Sequence, residues 1–296
     1  MPLTTRSKTL GHDDLPALFH AADRAALDGQ YSFHRTTDGT LILLAVAAFG
    51  GAFTWRSDDS PDWAGIVAAI AFILALILRV HLLATHPERQ WYQGRAAAES
   101  IKTLAWRYAV AARPFEKSAT DPNGLFISRL RDLLGELKDI QLPAPEAQEQ
   151  ITHEMRVMRG LSLQERKESY DDGRCRDQLG WYSRRSTEHA NRAKVFQAVT
   201  LILESTGAIG AVLKAAALVN TDLLGLAATL VAGVIAWQQA TQDAALAQAY
   251  AVAAHELSAI RTLIKDQMSE QKWADFVDQA EEAISREHTL WRASRA

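Results

Sequence analysis

Four long apolar runs, arranged as two closely spaced pairs, constrain this chain more than any other feature. Gly39–Trp55 and Trp63–Leu78 carry no charge, and only the segment 56–62 (RSDDSPD) lies between them. The second run extends to Thr85 if Arg79 snorkels to an interface. Val195–Val219 is interrupted only by Glu204 and Lys214, and after Asn220, Thr221 and Asp222 the uncharged run Leu223–Gln242 follows. Runs of this length suit membrane-spanning helices, which need about 20 apolar residues each. The first two are slightly short, so buried core hairpins are the alternative, against which the hydropathy window weighs.

Charge placement gives an orientation. The short turns hold Asp58, Asp59, Asp62 and Asp222 with Arg56 alone on the basic side, whereas Arg79, Arg89, Arg95, Lys102, Arg184, Arg185, Arg192 and Lys194 flank the other ends. Under the positive-inside rule both turns face outwards, and both termini and the central region are cytoplasmic. Trp55, Trp63 and Trp237 sit at span ends, as indoles prefer. The first apolar run starts near residue 40, so no cleaved signal peptide is expected. Whole-chain averages hide all this: the mean hydropathy is -0.12 and the net charge -3.

The polar regions read as helices. Asp13 or Asp14 followed by Pro16 starts one. Another covers Trp91–Ala112 and stops before Pro114. On it Arg95, Glu99, Lys102, Trp106 and Arg113 share a sector of about 60°, opposite Ala97, Ile101, Leu104, Ala105, Tyr108 and Ala112. The cluster TDPNG (120–124) reads as a turn before a helix over 125–140, and QLPAPEA (141–147) as a linker. Gln148–Tyr170 reads as one charged helical stretch. Beyond it Arg174, Gln178, Trp181, Tyr182, Arg185, His189 and Arg192 fall within roughly 100° of one helix. Leu246, Tyr250, Ala253, Leu257, Ile260 and Ile264 form a heptad-like seam suited to another helix, and the fourth span can run unbroken into it. Trp273, Phe276, Val277, Ala280 and Ile284 mark a final amphipathic helix.

The fold expected is an all-α integral membrane protein of two tandem units, each a transmembrane hairpin with flanking cytoplasmic helices. Residues 13–140 form the first unit, with spans at about 39–55 and 63–85. Residues 148–268 form the second, with spans at about 195–219 and 223–242, and 269–296 the C-terminal helix.

Several chemistries are disfavoured. A single cysteine, Cys175, excludes an internal disulfide framework, and its functional weight on a polar helix is low. His153-Glu154 and His255-Glu256 lack the second histidine of a zinc-protease helix, the histidines show no metal-ligand spacing, and no phosphate-binding Gly-Lys-Ser/Thr loop occurs. No catalytic residue, metal or cofactor is assigned. The near-neutral balance of 32 Lys+Arg against 35 Asp+Glu argues against direct DNA binding.

Two groups remain as candidates. Glu204, with Lys214 further along, places charge inside the third span, where a carboxylate costs several kcal/mol unless it meets water or a partner. It either lines a hydrated path or is neutralised within a bundle. Around it Ser205, Gly207, Gly210 and Ala211, with Gly225, Thr229 and Gly233, permit close helix approach. The second group, Arg95, Glu99, Lys102, Trp106, Arg107 and Arg113 with Arg174, Gln178, Trp181, Tyr182 and Arg185, combines guanidinium groups with aromatic planes. That pairing suits a phosphate-bearing, base-containing ligand, and equally a membrane-surface anchor or a solvated helix face.

The strings FHAADRAALDGQ (19–30) and WYQGRAAAESIKTLAWRYAVAARPF (91–115) resemble the SLATT domains, the SMODS and SLOG-associating two-transmembrane effector families. Trp91, Arg95, Glu99, Lys102, Trp106, Arg107, Tyr108 and Pro114 carry that pattern. MRGLSLQERKESYDDGRCRDQLGWYSRRSTEHANRAK (158–194) is similar to a second SLATT subfamily through Arg174, Asp177, Gln178, Trp181 and Tyr182. It departs at Gly180 and at SRRST (183–187), where the family has more alanine and lysine. The resemblance covers roughly 13–118 and 150–267. It implies a bacterial conflict-system effector that oligomerises in the inner membrane and perturbs it when a nucleotide second messenger signals infection. The partners implied are membrane lipids, further copies of the chain, a cyclic or other nucleotide-derived ligand and a sensor protein. A non-conducting scaffold that holds a soluble partner through the 246–264 seam is the alternative.

Overall fold

The structure, a computed structural model, describes residues 9–53, 61–138, 140–144, 149–264, 266 and 268–293, with side chains from 283 onward described only at Ile284. The turn residues Arg56, Asp58 and Asp59, with Trp55 and positions 145–147 of the expected linker, lie outside them. Every long element among the described residues is an α-helix: α1 (Ala17–Ala52), α2 (Trp63–Thr85), α3 (Pro87–Ala109), α4 (Pro122–Glu136), α5 (His153–Gly160), α6 (Leu163–Tyr170), α7 (Asp177–Ala215), α8 (Leu223–Thr241), α9 (Asp243–Leu263) and α10 (Glu270–Ala293). A π-helical turn, Asp171–Arg176, joins α6 to α7, so helix runs from Leu163 to Ala215.

Local chemistry sets the ends. Asp62 caps α2 by accepting from the Ala64 amide at 3.1 Å. Asp121 caps α4 through the Gly124 amide at 2.8 Å, with Pro122 in the first turn, so the helix begins inside the TDPNG cluster. Gln148–Tyr170 is not one helix: α5 stops at Gly160, and Ser162 with Glu165 forms a capping box that starts α6. α8 and α9 are likewise separate, because Gln242 takes a left-handed conformation (φ 52) between them.

The chain divides into two compact units that cut across its sequence halves. The core unit takes Met1–Gln30, Glu88–Ser186 and Gln248–Ala296; the span unit takes Tyr31–Pro87 and Thr187–Ala247. In the core unit α3 is central. From Gly94 to Ala109 only Ser100 is exposed, so the charged, aromatic-bearing face is partly covered as well as the apolar one. Gly94 allows this: a Cβ there would sit 2.8 Å from the Ala26 amide nitrogen of α1. The 246–264 seam packs inwards too, with Ala253, Leu257 and Ile264 buried in the core unit's own interior and Tyr250 and Ile260 packed against it.

The span unit has the opposite surface. Phe72, Ile73, Leu76, Ile77, Leu201, Ile202, Ile209 and Val212 are all exposed. Among the described residues, three helical stretches are long and apolar enough to cross a membrane, Trp63–Thr85, Leu163–Ala215 and Leu223–Leu263, the last including the break at Gln242, and little of their apolar length is buried within the chain. Four such spans are expected from sequence. The apolar end of α1 follows Arg35 and Asp38 closely on the same helix, and its described part stops at Phe53.

Candidate functional site

The two sequence stripes meet in the core unit. Trp181, on α7, is approached by two guanidinium groups, Arg95 of α3 at 5.8 Å and Arg185 of α7 at 5.7 Å from its ring. Arg95 also pairs with Glu99 at 2.9 Å. Tyr182 is buried against Tyr250 of α9, with ring centroids 5.9 Å apart, and Gln178 is buried one turn away. Lys102 is half-buried on the same side of α3; burial and then the Arg174 guanidinium push its ammonium below the ordinary lysine range. Arg95, Trp181 and Arg185 therefore form the accessible part of the cluster, where a planar anion can stack and pair.

Deeper, the arrangement centres on a carboxylate that sequence reasoning missed. Glu281 of α10 is fully buried and accepts from Arg174 Nε (2.9 Å) and Nη2 (2.7 Å), the Tyr170 hydroxyl (2.9 Å) and the Thr103 hydroxyl (2.9 Å). Burial opposes the charge on Arg174, but Glu281 outweighs it and holds the guanidinium above its ordinary pKa. Burial raises the Tyr170 hydroxyl well above its usual value, and Glu281 adds to that. Trp106 packs edge-on to Tyr170 at 5.9 Å, and Tyr170 edge-on to Trp273 at 5.7 Å.

The π turn positions these groups. It carries Arg174 and Cys175 into the interior, and Gly173 makes the close approach possible: a Cβ there would sit 2.8 Å from both Trp106 and Thr9. Burial pushes the Cys175 thiol up, which keeps it protonated and inert. Arg174, Glu281, Tyr170 and Thr103 are thus engaged with one another. The signal for Glu281 was present: it lies one turn beyond Val277, on the apolar stripe of the final helix.

The other candidates go elsewhere. Arg107 pairs with Asp278 (3.0 Å) and Arg113 with Asp275 (2.5 Å), both on α10. Arg166, also absent from the sequence candidates, is fully buried, donates to the Val110 carbonyl and pairs with Glu270. Glu204 and Lys214 belong to the span unit. Lys214 pairs with Asp222 at 3.3 Å, while Glu204 stands on an exposed face of α7 beside Leu201. Among the described residues no group of three or more His, Cys, Asp or Glu is placed to hold a metal ion.

Residues 16–167 match the SMODS and SLOG-associating 2TM effector domain 3, and residues 170–291 match the SMODS and SLOG-associating 2TM effector domain 1. The chain belongs to the SLATT family. No curated protein and no solved structure matches it. The first match ends at 167 and the second begins at 170, both within α6. The buried network therefore draws on both SLATT domains. Thr103 and Trp106 come from the first, and Tyr170, Arg174 and Glu281 from the second. Tandem SLATT domains here share one interior.

Proposed function

We propose that this chain is a non-enzymatic effector of the bacterial inner membrane that assembles with further copies of itself and opens a pore when its core unit receives a signal. Four helices cross the bilayer in this reading, the apolar end of α1 being the first, and both termini are cytoplasmic. Membership of an effector family of two-transmembrane domains supports the setting. The observation that carries the pore is Glu204. A carboxylate on the outward face of an apolar span, beside Leu201, costs several kcal/mol against hydrocarbon and far less against water or a neighbouring protein surface. A path between copies supplies that surface.

The signal is read by the accessible cations and indole of Arg95, Trp181 and Arg185, which suit a nucleotide-derived anion or an acidic face of a sensor protein. Nothing favours a scaffold that docks a partner on the 246–264 seam, since Leu257 and its neighbours are spent on the chain's own core. The deciding experiment is ion flux from liposomes, with and without cyclic nucleotides, alongside membrane potential in cells. Leakage by the intact chain is expected, with altered conductance but normal insertion in Glu204→Gln. A well-folded preparation that leaks under no condition removes the reading.

A further inference from the structure

Glu204 is one member of a longer polar line. At 100° per residue, His189, Gln197, Thr200 and Glu204 fall within about 80° on α7, while Ile202 and Ile209 point elsewhere. Gln197 and Thr200 line a groove of about 490 Å³ in the span unit, faced from α8 and α9 by Gln238, Gln242 and Asp243. At the same end the Nδ1 of His189 lies 2.5 Å from Asp243 Oδ1, and the other Asp243 oxygen accepts from the Thr241 hydroxyl at 2.9 Å.

The other half of the span is built differently. Beyond Glu204 the same face offers Ala208 and Ala211 before Lys214, a distance of about 15 Å along the helix. There α7 and α8 close on each other: a Cβ on Gly210 would sit 2.5 Å from Leu223 Cβ, and one on Gly207 2.9 Å from Ala227 Cβ. The Lys214–Asp222 pair stands at the far end.

We propose that this face is a half-channel, open at the His189–Asp243 end and sealed beyond Glu204, that brings water and protons to the Glu204 carboxylate. Amides and a hydroxyl both donate and accept hydrogen bonds, so they hold a file of water without binding an ion. The hydrogen-bonded His189–Asp243 pair stands at the mouth of this line. A proton moves along the file of water by successive O–H transfers, each water releasing one as it gains one, and so reaches the Glu204 carboxylate. The use of the half-channel rests on the pore reading, and the permeant species it names is the proton.

Single cysteines test it, because the native Cys175 is buried and unreactive. In intact membrane vesicles a charged, water-soluble thiol reagent is expected to modify Gln197→Cys, Thr200→Cys and Glu204→Cys at least tenfold faster than Ala208→Cys, Ala211→Cys and Ile202→Cys. Access is expected from the side that modifies Ala244→Cys, at the groove's mouth. Glu204→Cys and Thr200→Cys reacting no faster than Ile202→Cys overturns the half-channel. In liposomes under a potassium diffusion potential, proton uptake is expected to fall at least tenfold in Glu204→Gln. Potassium or dye passing as readily as protons overturns the proton assignment while sparing the pore. Labelled cysteines with no flux of any kind support the half-channel and overturn the pore.

Discussion

The two units solve the burial problem in opposite ways. In the core unit, guanidinium and carboxylate groups are drawn inside and paired, with Arg166, Arg174 and Glu281 at or near zero exposure. In the span unit large aliphatic side chains face outwards, and apart from Asp243, paired with His189, the buried residues are mostly small ones such as Ala71, Ala75 and Ala227. Water explains the first arrangement and hydrocarbon the second. Apolar side chains gain little from meeting each other when the surroundings are already apolar, so close backbone approach through Gly and Ala takes over. The same residue types therefore carry different energies in the two places, and substitutions separate them.

The largest effect is expected at the buried pair. Glu281→Ala leaves the Arg174 guanidinium with the Thr103 hydroxyl alone as an acceptor at 3.2 Å and takes the carboxylate from two hydroxyls in a buried interior, at a cost of about 3–5 kcal/mol. Thermal unfolding in detergent should show a large fall in Tm. The double variant Glu281→Met with Arg174→Met should recover much of it, because an apolar pair removes the charge along with its partner. If the double variant is as unstable as the single one, burial of unpaired charge is not the reason the pair matters.

Next comes a test in the span unit. Ile77→Arg, on an exposed face of α2, should cost roughly 2.5–3.5 kcal/mol of membrane insertion, the price of a guanidinium at mid-bilayer. The same substitution at the exposed Val252 of α9, in the core unit, should change stability by no more than about 0.5 kcal/mol. Membrane fractionation and protease protection read the first, and melting curves read the second. Equal effects at both positions would erase the distinction between the units.

What the sequence showed follows the same division. Hairpin spans are legible because apolar length is a local property, and α2 runs over Trp63–Thr85 as its composition predicts. The stripes bearing Arg95 and Trp181 are legible as helix faces for the same reason. Their meeting is not, because it depends on α3 and α7 lying side by side, which no periodicity encodes. Trp106 and Arg174 looked like surface groups, since the partners that neutralise them, Glu281 and Tyr170, are far along the chain. The π turn escaped for a related reason: DDGRCR has no distinctive pattern, and only the contact between Gly173 and Trp106 explains it.

Gly173→Ala tests that contact. The added methyl meets the Trp106 ring and Thr9 at 2.8 Å, and overpacking of this kind costs about 1–3 kcal/mol. Near-ultraviolet circular dichroism should report a displaced tryptophan, while Gly135→Ala, where a Cβ meets nothing within 4 Å, should leave the spectrum unchanged.

The smallest effect is expected at Lys102, and its sign is the informative part. The folded state holds this ammonium below its ordinary pKa through burial and the nearby Arg174 guanidinium. A base whose pKa is lowered on folding is protonated more readily in the unfolded chain. Its contribution to stability therefore falls as pH drops from the ordinary lysine value through the folded one. Lys102→Met, which keeps the aliphatic stem and removes the charge, should raise Tm slightly, by an amount within about 1 kcal/mol of the parent. A fall in Tm instead would mean that pairing with Glu99 outweighs the repulsion from Arg174, and that the core unit neutralises this charge as completely as it does Arg174.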